Sequence, residues 1–281
     1  MTFNLKNTVL LFVFVFSFSS GFCQNEILTG ADQYDEYIPF LKNKTIGIVA
    51  HKASRVNNEI HLVDFLVENK IKIKTIFAPE HGYDGRADNG DLLSDSKDQS
   101  TGLNIISLHG KTKKPLPEHL QGIDLMVFDL QDVGARFYTF LSTLHYVMQA
   151  CAEANIPVLL LDRPNPNGHY VDGPVLDMKF KTYVGMHPVP IVHGMTLGEY
   201  ASMINGENWL GKNLKCNLRI VKIKNYTHKT KYILPVRPSP NLPNNQAISL
   251  YPSLCLLEPT TISVGRGTEK QFQIYGHPNF P

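Results

Sequence analysis

Short, largely apolar runs alternate along the chain with segments whose apolar side chains recur at helical spacing. The runs are 45–50, 72–78, 104–108, 124–129 and 157–161. Between the first two lies 59–68, with Ile60, Val63, Leu66 and Val67 three or four positions apart. Between the last two lies 141–154, where Leu144, Val147, Met148 and Cys151 mark one face. Brief β-branched runs separated by amphipathic helices predict βαβ units and a parallel sheet. Helices on both faces bury such strands twice over, so Leu125-Met126-Val127-Phe128 contains nothing polar to turn outward. The fold class expected is α/β, a doubly wound parallel sheet over residues 30–185.

The texture then changes. Pro188 and Pro190 break 186–192, and Thr196 reads as the N-cap of a helix through Ile204, with Glu199 at the capping-box position. Residues 217–224 alternate loosely, as an edge strand does. Pro235, Pro238, Pro240 and Pro243 make 235–243 an extended segment or loop. The final residues, Gly276-His277-Pro278-Asn279-Phe280-Pro281, carry no helical or strand pattern and read as a cut.

The N-terminus does not belong to this pattern. Lys6, the apolar stretch from Val9 to Phe18 and then Ser19-Ser20-Gly21 form a secretory leader, too short to span a bilayer. We expect cleavage near Cys23/Gln24, an extracytoplasmic (periplasmic or secreted) mature chain, and no transmembrane anchor. Phe22 stands where a small residue precedes a lipidated Cys, which argues against a lipoprotein. Cys151, Cys216 and Cys255 form no C-x-x-C and read as buried thiols. The chain has 27 Lys+Arg against 25 Asp+Glu, a formal net charge of +2, so a nucleic-acid or anionic-membrane partner is not expected. The 43% of hydrophobic residues exclude a disordered chain and suffice for a core.

In an open parallel sheet, ligands bind beyond the carboxyl ends of the strands. Every predicted strand here is followed by polar groups: His51-Lys52; Pro79-Glu80-His81-Gly82 with Asp84, Arg86 and Asp88; His109-Gly110-Lys111; Asp129 with Gln131, Asp132 and Arg136; and Asp162-Arg163-Pro164-Asn165. That convergence predicts a cleft at one edge. Individually, His51 and His109 also suit loop hydrogen bonds, Asp129 and Asp162 suit helix caps, and Arg136 and Arg163 suit structural ion pairs. Glu80, between a proline and His-Gly directly after an apolar strand, has the rigid and partly apolar setting a general acid needs. No dinucleotide or P-loop fingerprint, nucleophile elbow or H-E-x-x-H occurs, so no cofactor or metal is expected. Carboxylates, amides, His and aromatic groups (Tyr83, Phe137, Tyr138) suit a sugar, whose hydrolysis needs a carboxylic acid and a second polar group.

Long blocks of the chain resemble the exo-β-N-acetylmuramidase family, once catalogued as a domain of unknown function. These are Phe77-Ala78-Pro79-Glu80-His81-Gly82, 127–139 (V-F-D-L-Q-D-V-G-A-R-F-Y-T), 161–168 (L-D-R-P-N-P-N-G), Pro238-Ser239-Pro240-Asn241-Leu242-Pro243 and Ser263-Val264-Gly265-Arg266-Gly267-Thr268. The resemblance implies a Rossmann-like domain at 24–185 after a signal peptide at 1–23. It also implies a smaller α+β domain from 186 to 281, incomplete because the family continues past the last block. The implied activity is release of N-acetylmuramic acid from the non-reducing ends of peptidoglycan fragments. Glu80 falls on the family's proposed catalytic glutamate, and Asp129 or Asp132 is the expected second group. His51, His81, His109, Gln131, Arg136, Tyr138, Asp162, Arg163, Asn165 and Arg266 are the expected substrate contacts, with Arg136, Arg163 or Arg266 gripping the lactyl carboxylate. Against this stand a metal-assisted hydrolase or amidase using His51, His81, His109 and Asp129, and a glycan-binding protein without turnover.

Overall fold

The computed structural model describes residues 26–280, and the expected leader lies outside them. Helix α1 (Tyr34–Leu41) precedes β1 (Thr45–Ala50). A small antiparallel pair, β2 (Arg55–Val56) and β3 (Ile60–His61), opens into α2 (Leu62–Glu68), and the chain returns along β4 (Lys72–Ala78). Then come β5 (Ser96–Lys97), β6 (Asn104–Ser107), the short α3 (Pro117–Leu120), β7 (Leu125–Asp129), α4 (Phe140–Glu153) and β8 (Val158–Leu161). Further on are α5 (Leu197–Gly206), β9 (Leu218–Val221) and α6 (Asn245–Leu254).

All five apolar runs are strands of one sheet, ordered β5-β6-β4-β1-β7-β8-β9 and parallel except for β5. Taken in their own sequence, the six parallel strands run 3-2-1-4-5-6, the doubly wound dinucleotide-fold order. The expected α/β class is therefore the one observed. Successive residues of β7 feed opposite cores: Met126 and Phe128 pack with Leu144, Met148 and Tyr200, whereas Leu125 and Val127 pack with Tyr37, Leu62 and Leu66. Each such buried side chain contributes about 1.5–3 kcal/mol, which is why the strand tolerates nothing polar.

One element differs from the periodicity reading. The helix expected over 59–68 starts at Leu62, because Ile60 and His61 pair with β2 and the His61 ring accepts the Val63 N–H as its cap. The loose edge strand at 217–224 is β9, hydrogen-bonded to β8, so the sheet continues past the change of texture at 185. The α5 start is as read, with Thr196 and Glu199 closing a reciprocal capping box. Cys151, Cys216 and Cys255 are free and buried. Among the described residues, no helix is long and apolar enough to cross a membrane.

A polar thread crosses the α4–α5 interface. His145 hydrogen-bonds His187 at 2.9 Å, His187 bonds the Tyr200 hydroxyl at 3.1 Å, and its ring stacks on Trp209 at 4.5 Å. Burial keeps both imidazoles neutral, pushing the His145 pKa down to about 4 and that of His187 down to about 3. In the unfolded chain both titrate near 6.5, so between that pH and about 4 the unfolded state binds protons that the folded state refuses. Their stability contribution is complete above pH 6.5 and is lost as the pH falls, at up to about 1.4 kcal/mol per pH unit for each ring. Urea midpoints measured from pH 7 to pH 4.5 are expected to fall steeply, and more gently in His187→Gln.

Candidate active site

At the end of β4 the chain turns sharply. Gly82 N–H donates to the Pro79 carbonyl at 3.0 Å, and His81 (φ 71°) and Gly82 (φ 78°) both take left-handed backbone. Glycine meets that demand without strain; His81 does not, and is held there by a 2.9 Å bond between Nδ1 and the Ala87 carbonyl. The turn leaves Glu80 only 4% exposed on the wall of a cavity of about 700 Å³. Its Oε2 accepts from the Thr139 hydroxyl at 2.5 Å and its Oε1 from Gly90 N–H at 3.0 Å, with His109 Nε2 3.6 Å away. Thr139 is the N-cap residue of α4, yet its side chain serves Glu80 and not its own helix.

A second carboxylate lines the same cavity. Glu258, just past α6, pairs with Arg266, and Asn89 joins this pair to Glu80. With its amide nitrogen toward Glu80, Asn89 donates to Oε1 at 2.8 Å and accepts from Arg266 at 3.2 Å. Burial pushes the Glu258 carboxyl above its ordinary pKa; Arg266 opposes this and the Glu80 charge adds to it. Arg266 sits in the Gly265-Arg266-Gly267 turn. At Gly265 (φ 81°) a Cβ would lie 2.6 Å from the Lys270 carbonyl oxygen, so only glycine fits.

The remaining walls are aromatic: Phe137, Tyr138, Tyr183, Tyr251 and Phe272. Tyr138 donates to the Pro238 carbonyl at 2.7 Å, which ties the proline-rich segment to the rim. Burial lowers the His109 pKa, with Lys113 lowering it further and Glu80 opposing, so the imidazole beside Glu80 is neutral. Apolar walls with a few converging polar groups are the usual lining of small-ligand clefts.

Of the expected catalytic and substrate-contact residues, Glu80, His81, His109, Tyr138 and Arg266 meet on this cavity. The others do not line it, and each has another task. Asp129 is fully buried and grips Arg163 in a two-pronged ion pair, Nε to Oδ1 at 2.5 Å and an NH2 nitrogen to Oδ2 at 2.8 Å. Asp132 accepts from Gly134 N–H at 2.6 Å and lies 3.4 Å from His193. Neither of the two carboxylates expected as the second group lines this cavity. Asp162 holds the start of α5, accepting from Thr196, Gly198 and Arg163, and burial raises its pKa to about 6. Gln131 donates to the Asp132 and Pro164 carbonyls, and Asn165 donates to Met195 and accepts from Asn167. Arg136 donates to the Pro174 and Val189 carbonyls. His51 packs edge-on against Phe140, and burial lowers its pKa strongly. Among the described residues, no group of three or more His, Cys, Asp or Glu has the geometry to hold a metal ion.

Several lining residues escaped the sequence reading. Asn89 and Gly90 continue the loop after β4, and Thr139 ends the 127–139 block, so the strand-end rule followed further along each loop reaches all three. Tyr183, Lys113 and Glu258 carry no local signal, since tertiary folding alone brings them to the cavity.

Residues 46–246 match the family model described as exo-β-N-acetylmuramidase NamZ, N-terminal, and 249–281 match its C-terminal counterpart. A Bacillus subtilis protein named peptidoglycan β-N-acetylmuramidase NamZ is 42% identical over 260 residues, covering 90% of this chain. The chain spans 62% of that relative's length. Crystal structures of two Bacteroides fragilis DUF1343 family proteins superpose with TM-scores of 0.83 and 0.81, at 50% and 34% identity. They cover 91% and 89% of this chain, which in turn spans 68% and 65% of theirs. The motif blocks, the sheet order and the match of both family models lead to one conclusion: the chain belongs to the exo-β-N-acetylmuramidase NamZ family.

Proposed function

We propose that the protein is a glycoside hydrolase that removes N-acetylmuramic acid from the non-reducing ends of peptidoglycan fragments. The observation that carries this reading is a pair of carboxylates, Glu80 and Glu258, on one aromatic-walled cavity of about 700 Å³. Family membership and the name of the B. subtilis relative support the substrate class. The leader pattern at 1–23 supports a reaction outside the cytoplasm.

Glu80, as the general acid, delivers a proton to the leaving glycosidic oxygen as the bond from that oxygen to the anomeric carbon breaks. Water adds to the anomeric carbon and gives its proton to Glu258, whose carboxyl binds protons more readily than usual because it is buried. Bulk solvent then returns one proton to Glu80 and takes one from Glu258. Thr139 and Gly90 hold the Glu80 carboxyl in place, and neutral His109 beside it adds no competing charge.

The test is release of chromophore from a chromogenic β-glycoside of N-acetylmuramic acid. Turnover by this chain is expected; its absence, at protein concentrations where the product sugar binds, would count against hydrolysis. Glu258→Gln is expected to lower kcat about 10²-fold or more and to remove the acid limb of the kcat/KM profile.

A further inference from the structure

N-acetylmuramic acid differs from N-acetylglucosamine by a lactyl ether ending in a carboxylate, and a cleft already holding two carboxylates needs a cation to admit it. The three arginines that the sequence put forward are all committed. Arg163 is locked to Asp129, Arg136 donates to two backbone carbonyls outside the cavity, and Arg266 is held by Glu258 and Asn89. Lys113 is the remaining cation on the cavity wall. Among the described residues its ammonium has no carboxylate within ion-pair distance. Its Nζ stands 3.7 Å over the Tyr183 ring, whose centroid is 5.8 Å from that of His109, the neighbour of Glu80.

We propose that Lys113, braced on the face of Tyr183, receives the substrate's lactyl carboxylate and makes the site selective for muramic acid over sugars lacking that acid. This rests on the hydrolase reading above. An aromatic ring holds an ammonium in position without neutralising it, so the charge stays available to an incoming anion. Its place on the His109 side of the cavity sets the carboxylate near the acid end of the site. Closing a sugar over the pair removes water and strengthens the attraction. A lysine point charge accepts a carboxylate on a flexible ether arm without demanding the fixed two-pronged geometry of a guanidinium.

The test compares wild type with Lys113→Met, which keeps the apolar stem over Tyr183, and Lys113→Arg, which keeps the charge. Two chromogenic glycosides are used, N-acetylmuramic acid and its lactyl methyl ester. Wild type is expected to prefer the acid, and Lys113→Met to lose about 10- to 100-fold of that preference in kcat/KM, mostly through KM. Lys113→Arg should retain most of it. Calorimetric binding of free N-acetylmuramic acid should weaken in parallel, while the methyl ester binds both forms alike. An unchanged acid-to-ester preference in Lys113→Met, with wild type active, overturns the role of Lys113 and leaves the hydrolase reading standing. If wild type cleaves neither glycoside, the hydrolase reading fails, and the binding comparison alone decides Lys113: equal affinity of wild type and Lys113→Met for the free acid overturns it.

Discussion

Replacing Glu80 by Gln is expected to lower kcat by about 10²–10⁴-fold, the range that a positioned proton donor supplies. The change is isosteric, and the amide oxygen can still accept from the donors on one side, Thr139 or else Gly90 and Asn89. Product affinity and the urea midpoint should therefore stay close to wild type, so the loss falls on kcat and not on KM. That pattern marks an interaction made in the transition state alone. A substrate whose leaving group is a strongly acidic phenol needs little protonation, so Glu80→Gln should be impaired less on it than on a disaccharide.

Asp129→Ala is expected to act on stability. It strips the partner from Arg163, which is buried and keeps only the bond from an NH2 nitrogen to the Arg55 carbonyl. An uncompensated buried guanidinium costs about 3–5 kcal/mol, a large share of a typical domain's stability. Urea unfolding should show this loss directly. The double change Asp129→Leu with Arg163→Met should recover much of it, because an apolar pair needs no compensation. Any protein that remains folded should turn over substrate within about threefold of wild type, since the pair lies off the cavity. A loss of kcat comparable to that of Glu80→Gln, in fully folded Asp129→Asn, would instead return Asp129 to the chemistry.

The two effects separate what the sequence reveals from what only the fold reveals. Strand positions were legible because double burial leaves runs such as 125–128 without polar interruptions. Glu80 was legible because a proline-bounded turn directly after a strand can point only to the edge where ligands bind. The same rule overreached at β1, β7 and β8. His51, Asp129 and Asp162 also follow strands, but there the crevice is filled: Asp129 meets Arg163, Asp162 meets the start of α5, and His51 meets Phe140. A strand-end position says where a side chain emerges and not whether a neighbouring loop already occupies it. Glu258 was invisible for the opposite reason. It follows a helix and not a strand, and reaches Glu80 only through Asn89 and Arg266, two residues 177 positions apart in the sequence.

On the proposed function, Glu80 drives the removal of one terminal muramic acid at a time. The most direct measurement is a mass-spectrometric time course on a peptide-free oligosaccharide of alternating N-acetylglucosamine and N-acetylmuramic acid, with the latter at the non-reducing end. Free N-acetylmuramic acid is expected as the first product, with a residual chain shorter by that one sugar, and neither product is expected with Glu80→Gln. Internal fragments appearing first, or the same products at the same rate from Glu80→Gln, would contradict that function.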